Sequence, residues 1–517
     1  MDDTRTDSRN LAALDDLVAR FAKELVAERV DSGHVDLRTV SFREIEQLSH
    51  DIGQRVARQL GHRLTGQQSG ELYSDDYNCP VCGLECEAIK QTRIVETIDG
   101  PAEIIEVKSF CPKCRRNFPP VRAVSGLDNR VFSPLSRDKI ITAAAETKSY
   151  TRAAMILKSL AEIKISSRHI NRMSDKLGSE LREQQQERVE LHAAGKLKIE
   201  VTNIPDLAVV DTDGGRIRTR ESECGSGTHN AAWRETKTAL CMRMSSEVHE
   251  HDPAPEPPNS LQNREYVGKL AQEVAGAAAM ETASTEDDDS TPVDDSFEET
   301  STVEQKKYES PTRLMRTCLA SLDDSKTFGK MVAVEAHRKG FFHAARQAFV
   351  ADGMKCNWTM WKTHFAAFVP IVDFIHVISY LYKAAVAIGE SEDFGWGLCA
   401  DWIRACWQGR VDDVTSDLRD WLTAQPAALS DVADDDPREI VRVALGYLTN
   451  NRDRMDYPSY RCAGLPMTST LMESLIKEVS YRVKGTEKFW NDPDGANHIL
   501  AVKAAALSDD NRLLPAH

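Results

Sequence analysis

Apolar positions recur along this chain with two periods. Leu11, Leu14, Val18, Phe21 and Leu25 return at steps of three and four, the spacing of one helix face, and predict a helical N-terminal region over 1–70. Over 71–125 the period changes to two. Arg93-Ile-Val-Glu-Thr-Ile and Ala102-Glu-Ile-Ile-Glu-Val-Lys alternate around Asp99-Gly100, which predicts a hairpin. Residues 126–195 read as helical, with breaks near Lys148-Ser-Tyr-Thr151 and Lys164-Ile-Ser166. From 196 to 517 strand and helix patterns mix. Strands are predicted at Leu207–Val210, Arg216–Arg220, Thr236–Met244, Arg316–Leu322, up to Ala351, and at Phe368–Phe374. Helices are predicted at Phe328–Ala345 and Trp358–Phe365, followed by a helical insertion over 377–460. Its tryptophans Trp396, Trp402, Trp407 and Trp421 fit a core, although Trp402 or Trp407 can also stack an unpaired base.

Residues 246–311 interrupt this pattern. Asp252-Pro-Ala-Pro-Glu-Pro-Pro, Glu286-Asp-Asp-Asp and Asp294-Asp-Ser-Phe-Glu-Glu predict a disordered acidic insertion with one short helix near Val267–Val274. The longest apolar stretch, Phe365–Ile388, contains Asp373, His376 and Lys383, which are costly inside a bilayer, so it reads as a buried strand and helix. With 517 residues, the chain is long enough for roughly three or four domains. A net charge of −16 and a pI near 5.4 exclude a protein that coats nucleic acid through its overall field, so any such contact needs local basic patches. The polar, acidic start and the scatter of twelve cysteines suit a reducing cytoplasm and no membrane.

Four cysteines are not scattered. Cys79-Pro-Val-Cys82 and Cys111-Pro-Lys-Cys114 are two short loops that each aim two sulfurs at one point, and the hairpin between them closes the gap. A structural Zn²⁺ site, a zinc ribbon, is the expectation. Cys86 lies close by without a cysteine partner, and Lys108, Lys113, Arg115, Arg116 and Arg122 surround the second loop. Further on, Arg152-Ala-Ala-Met-Ile-Leu and Ser166-Ser-Arg-His-Ile-Asn-Arg-Met have the form of a helix-turn-helix. Ser166 or Ser167 caps the second helix, and Arg168, His169, Asn171 and Arg172 form its exposed face. A plain helical bundle with a solvated basic face remains the alternative.

Two aspartates close apolar strands and precede glycine: Asp213-Gly-Gly and Asp352-Gly353. With Glu473 on an amphipathic helix they make a trio of hard oxygen ligands suited to Mg²⁺ (or Mn²⁺) and to displacement at phosphorus. Asp211 shares the strand face of Asp213 and competes with it. Asp373 competes with Asp352, or pairs with His376 as an orienting dyad. Lys477, one turn after Glu473, and Arg482, Lys484 and Lys488 beyond it are positioned to hold phosphates.

The strings Asp213-Gly-Gly-Arg-Ile-Arg-Thr-Arg, Ala232-Trp-Arg-Glu-Thr-Lys, Val350-Ala-Asp-Gly353, Ile371-Val-Asp-Phe-Ile-His376 and Thr468-Ser-Thr-Leu-Met-Glu473, with the tail through Trp490 and Gly495–Leu500, resemble bacterial insertion-sequence DDE transposases of the Kra-type group in the Mutator-related superfamily. The resemblance implies an α/β fold with a ribonuclease-H-like mixed sheet and an all-helical insertion before the last acid. It implies a triad of Asp213, Asp352 and Glu473, an aspartate-x-x-histidine signature at Asp373 and His376, and DNA recombination at terminal inverted repeats and target DNA by at least a dimer. Two features depart from the family pattern: the long acidic insertion, and Thr468-Ser-Thr470 where a Gly-Ser-Gly-like approach is usual. A sequence-specific DNA-binding protein derived from an inactive transposase, or a structure-specific nuclease, are the other readings.

Overall fold

A computed structural model of the chain describes residues 3–120, 131–219, 232–279, 308–425, 433–484 and 489–513. It divides into two units, Met1–Asp138 with Ala161–Ile163, and Lys139–Leu160 with Lys164–His517.

In the first unit the helical start is two helices. α1 (Asp3–Asp31) is followed by Gly33 at φ 72°. α2 (Phe42–Glu71) opens with a reciprocal cap in which the Ser41 hydroxyl accepts from Glu44 N and Glu44 accepts from Ser41 N at 2.8 Å. Strands β1 (Asp76–Asn78), β2 (Glu85–Thr97), β3 (Gly100–Cys111) and β4 (Arg116–Phe118) form an antiparallel sheet in that order. Thr97 pairs with Gly100, so the turn is two residues long and needs Gly100 at φ 95°. α2 lies on β3. The Ser69 hydroxyl donates to the Ile105 carbonyl at 2.5 Å, and a Cβ on Gly66 would stand 3.2 Å from Ile105 Cδ1.

Helices α3 (Pro134–Glu146), α4 (Tyr150–Leu160) and α5 (Ser167–Ala193) come next. Ser166 caps α5, its hydroxyl accepting from His169 N at 3.3 Å. α5 packs on α15 (Pro493–Ala506). A Cβ on Gly178 would come 2.4 Å from the His498 carbonyl oxygen, so only glycine permits that approach.

The second unit is built on a five-stranded mixed sheet of β5 (Leu207–Thr219), β6 (Ala232–Ser245), β7 (Thr312–Ser321), β8 (Arg346–Ala351) and β9 (Val369–Val372), in the order β7-β6-β5-β8-β9. β7, β6 and β5 are antiparallel to their neighbours; β5, β8 and β9 run parallel. α7 (Ser325–Arg338) crosses from β7 to β8, and α8 (Lys355–His364) from β8 to β9. Leu207, Ala208, Val209, Val210, Phe349 and Ile371 are fully buried, as an apolar run covered on both faces should be. β5 differs from expectation: it does not break at Asp213 but continues through Gly214 and Gly215. The glycines admit close neighbours there, since a Cβ on Gly215 would lie 3.1 Å from both Lys484 Nζ and Thr236 Oγ1.

After β9 come α9 (Phe374–Ile388), α10 (Glu392–Trp407), α11 (Val411–Ala424), α12 (Pro437–Asn451) and α13 (Tyr457–Cys462), and then α14 (Thr470–Val483). Trp402 and Trp407 are buried, with their indole N–H groups donating to Asp417 Oδ2 at 2.9 Å and the Ala254 carbonyl at 2.7 Å. These are core residues, so neither is available to stack a base.

Residues 246–263 are ordered rather than disordered, and the short helix expected near Val267–Val274 is present within a longer one. α6 (Arg264–Ala279) buries Val267 and Ala271. Asp252 accepts from the fully buried Arg461 at 2.7 Å, and that guanidinium lies 4.4 Å over the Trp407 ring. This pair is 209 residues apart in sequence and has no local signature. The remainder of the acidic insertion, 280–307, lies outside the described residues.

Candidate functional site

Parallel strands place one row of acids at a single sheet edge. Thr212 pairs with Ala351 and Ala351 with Val372, so the next positions on β5, β8 and β9 are Asp213, Asp352 and Asp373. This is the carboxyl end of the parallel strands, where open α/β sheets collect their sites. Asp373 continues the ladder, its N–H donating to the Ala351 carbonyl at 2.9 Å, and then caps α9 by accepting from Ile375 N at 3.0 Å. The Ser469 hydroxyl donates to its other oxygen. Ser469 also precedes α14, and its carbonyl accepts from Glu473 N at 3.0 Å. The serine of Thr468-Ser-Thr470 therefore ties the helix of Glu473 to the sheet through Asp373.

His376, on the first turn of α9, sits 3.8 Å from Asp373 Oδ2. One ligand atom from each of Asp373, His376 and Glu473 falls within 4.8 Å of the others, a grouping that can hold a metal ion. Asp213 and Asp352 are not in this tightest group. They stand beside it, close enough for their charges to act on its members.

Asp352 is fixed from three directions. Its Oδ1 accepts from Met354 N at 2.9 Å and Asn357 Nδ2 at 2.8 Å, while its carbonyl accepts from the Tyr447 hydroxyl at 2.8 Å. Gly353 is needed twice over: φ is 96°, and a Cβ would stand 2.7 Å from Tyr447 Cε2. Tyr447 and Asn357 were not singled out in the sequence, and Ser469 entered only as part of the Thr468-Ser-Thr470 approach to Glu473. Only Asn357, in the first turn of the helix after an Asp-Gly turn, offered a local signal.

The electrostatics are those of crowded acids. Burial, then the Asp352 charge, pushes Asp213 up to about 6. Burial, then Asp373, pushes Glu473 up to about 7. Asp211 is raised well above the carboxylate range by burial and by Asp373 and Asp213, and Asp373 is raised by burial. Burial opposes a charge on His376, yet the surrounding carboxylates, Asp373 first, raise its pKa. Asp213, Asp352 and Glu473 are partly exposed, whereas Asp211 and Asp373 are buried. In each pair the rival is the more buried aspartate, and Asp373 rather than Asp352 is the one that groups with Glu473. Asp211 Oδ1 is buried with no hydrogen-bond partner among the described residues. An orphaned buried oxygen amid hard donors fits a divalent cation such as Mg²⁺ or Mn²⁺.

In the first unit Cys79, Cys82, Cys111 and Cys114 bring their sulfurs within 4.8 Å of one another, with Cys79–Cys114 at 3.9 Å and Cys82–Cys111 at 3.5 Å. A tetrahedron of 2.3 Å bonds needs sulfurs about 3.8 Å apart, so four thiolates here fit Zn²⁺. The Cys114 N–H donates to Cys111 Sγ at 3.3 Å and holds the Cys111 thiol down to about 6. Cys86 is outside the group; its thiol donates to the Leu84 carbonyl at 3.2 Å.

Of the residues assigned to DNA, Arg168, Asn171 and Arg172 are exposed on α5 and His169 is half-buried. Lys477 is exposed and ion-paired with Glu273 at 3.4 Å. Lys484 is exposed, its Nζ beside Gly215. Arg482 must be withdrawn: it is buried, its Nε donates to the Ala144 carbonyl at 2.8 Å, and its guanidinium lies 4.5 Å over the Tyr150 ring. A cation committed to the core cannot reach phosphate. Lys113, Arg115 and Arg116 are exposed at the second cysteine loop; Lys488 and Arg122 lie outside the described residues. No helix among the described residues is long and apolar enough to cross a membrane.

Neither the protein-family models nor the curated proteins contain a match to this chain.

Proposed function

We propose that this chain is a DNA transposase of the DDE type, cutting insertion-sequence ends and joining them to target DNA. The observation that carries the reading is the arrangement of Asp213, where β5 runs past the end of its pairing with β8, beside Asp352 at the end of β8, with Glu473 arriving from a helix beyond an all-helical insertion. The strand order β7-β6-β5-β8-β9, three antiparallel strands followed by two parallel ones, supports a ribonuclease-H-like core. The four-cysteine group supports a zinc ribbon, and the exposed face of α5 a helix-turn-helix that reads terminal inverted repeats. Pairing of two ends calls for at least a dimer, and the protein would work in the cytoplasm.

Asp213, Asp352 and Glu473 would hold two Mg²⁺ ions, which when bound stabilise charge on the attacking and leaving oxygens. The chain's own residues orient and balance. Asn357 and Tyr447 fix Asp352, Asp373 anchors Glu473 through Ser469, and His376 offsets the gathered negative charge. Water attacks phosphorus at the element's end and the bond to the 3′ oxygen breaks; the freed 3′-hydroxyl then attacks a target phosphodiester, whose own P–O3′ bond breaks and leaves a 3′-hydroxyl on the target strand.

Incubating the protein and Mg²⁺ with DNA that carries the ends flanking its coding region tests this. Nicked and joined products are expected. Asp352→Asn and Glu473→Gln should each lower cleavage by roughly 10²–10³-fold or more while DNA binding persists. Undiminished cleavage in either variant overturns the triad. Cleavage without joining indicates a nuclease, and binding without cleavage a DNA-binding protein.

A further inference from the structure

α1 has no fully buried position over residues 13–31. Leu14, Leu17, Val18, Phe21 and Val26 are 54%, 54%, 56%, 43% and 60% exposed, an unusual concentration of large apolar side chains on one helix. The spacing of Leu14, Val18, Phe21 and Leu25 is that of d, a, d and a positions in a heptad, a seam shaped for a second helix. In this register Glu24 is a g position and Arg29 the next e. A parallel pair of identical helices places Glu24 against the partner subunit's Arg29, and two-fold symmetry makes that contact twice. Among the described residues Arg29 Nε is ion-paired with its neighbour Glu28 alone, at 3.6 Å.

Three further observations favour a second copy as the occupant. α1 carries seven acidic and five basic residues, so it is nearly neutral in a chain of net charge −16 and repels itself little. Its polar face, where Asp15 and Asp16 offset Arg20 and Lys23, lacks the lysine and arginine excess that an anionic lipid surface selects. α2 exposes Ile45, Val56, Leu60 and Leu64 as well.

We propose that α1 pairs in parallel with α1 of a second copy of this chain, with the outward face of α2 extending the seam. This stands apart from the catalytic reading and needs no DNA. Sedimentation equilibrium of the full chain, over ~1–50 μM, should give twice the 57.7 kDa of one chain. Val18→Glu combined with Phe21→Glu should weaken pairing at least tenfold, with helical circular dichroism retained to show that the fold survives. Asp16→Asn, on the polar face, should change nothing. Glu24→Lys should weaken pairing, and adding Arg29→Glu should restore it. A single-chain mass throughout the range, or a double glutamate variant that pairs as well as wild type, overturns the proposal. So does flotation of the protein with anionic vesicles in place of self-association. Failure of the charge swap to restore pairing overturns the parallel register.

Discussion

Two groups of carboxylates in the second unit titrate in opposite directions. Glu335, Glu200 and Asp510 are interleaved with Arg338, Lys339 and Arg512: Glu335 meets Arg338 and Arg512, each at 2.8 Å, Lys339 meets Asp510 at 2.8 Å, and Arg338 meets Glu200. Burial works against ionisation of Glu335 and Asp510, yet their cations prevail and hold both below the usual range. At the sheet's carboxyl edge, Asp211, Asp213, Asp352, Asp373 and Glu473 have His376 among them and Lys477 further out, and the pKa shifts resolved there are upward. Each group mixes buried acids with more exposed ones, so burial does not set the two apart. The difference is stoichiometric: three carboxylates are matched by four cations, Arg188 being the fourth, whereas five with one histidine are short of positive charge. A fold keeps such a deficit at a cost, and the usual return is function.

The most severe way to break this comparison is to give the network the same deficit. Glu335→Gln leaves Arg338 and Arg512 without their buried counter-charge, and should cost about 3–5 kcal/mol, the toll of removing one partner from a buried ion pair. Urea unfolding measures it. A loss under about 1 kcal/mol would mean that solvent reaches the network and that it is not the structural half of the contrast.

pH should separate the groups next. Asp510 and Glu335 have folded pKa values below their unfolded ones, so the stability they contribute is present above about pH 4.5 and lost as pH falls through the folded values. Asp213 and Glu473 are the reverse: their contribution is fully present below about pH 4 and lost as pH rises through about 6 and about 7. Thermal melts without added Mg²⁺ should therefore show a maximum on the acid side of neutrality. Asp510→Asn should flatten the acid limb by about 2 kcal/mol, and Glu473→Gln the limb between pH 4.5 and 7. Identical limbs in wild type and both variants would show that these residues do not govern them.

What the sequence disclosed follows the same division. The four cysteines and the capped start of α5 were legible because their geometry is set within a few residues. Asp352-Gly353 was legible because its turn needs a positive φ. Glu335, Arg512, Asp252 and Arg461 were not, since each finds its partner more than 170 residues away. Arg482 was misjudged for a related reason: its position after Glu473 suggested a phosphate contact, but burial against Ala144 and Tyr150 depends on helices more than 300 residues earlier. Gly214-Gly215 signalled a break and instead permits a close approach inside a continuous strand.

Supplying the missing cation should have a moderate effect. Millimolar Mg²⁺ should raise the melting temperature at pH 7.5 by a few degrees, as any ligand of the native state does. The increment should vanish in Asp213→Asn and Glu473→Gln and persist in Asp510→Asn. Differential scanning calorimetry decides between them, and an equal increment in all four proteins would place the ion elsewhere.

The smallest effect expected is also the one that discriminates best between the two strand aspartates. Asp211 is buried, its pKa is raised well above the carboxylate range, and its Oδ1 has no partner among the described residues. Asn in its place keeps the shape and removes an acid that the fold already holds protonated, so without metal at about pH 4 Asp211→Asn should shift stability by no more than about 1 kcal/mol, and the gain should grow as pH rises above the range of an unfolded carboxylate. In Mg²⁺ two results are distinct. If Asp213 is the strand ligand and Asp211 only part of its surroundings, the melting increment in Mg²⁺ stays close to wild type. If Asp211 releases its proton and turns Oδ1 to the ion, the increment disappears although the metal-free protein is unharmed. That second result would move the ligand one strand step inward and give the orphaned oxygen its role. Asp213 would then remain as the more exposed neighbour whose charge the ion must also balance.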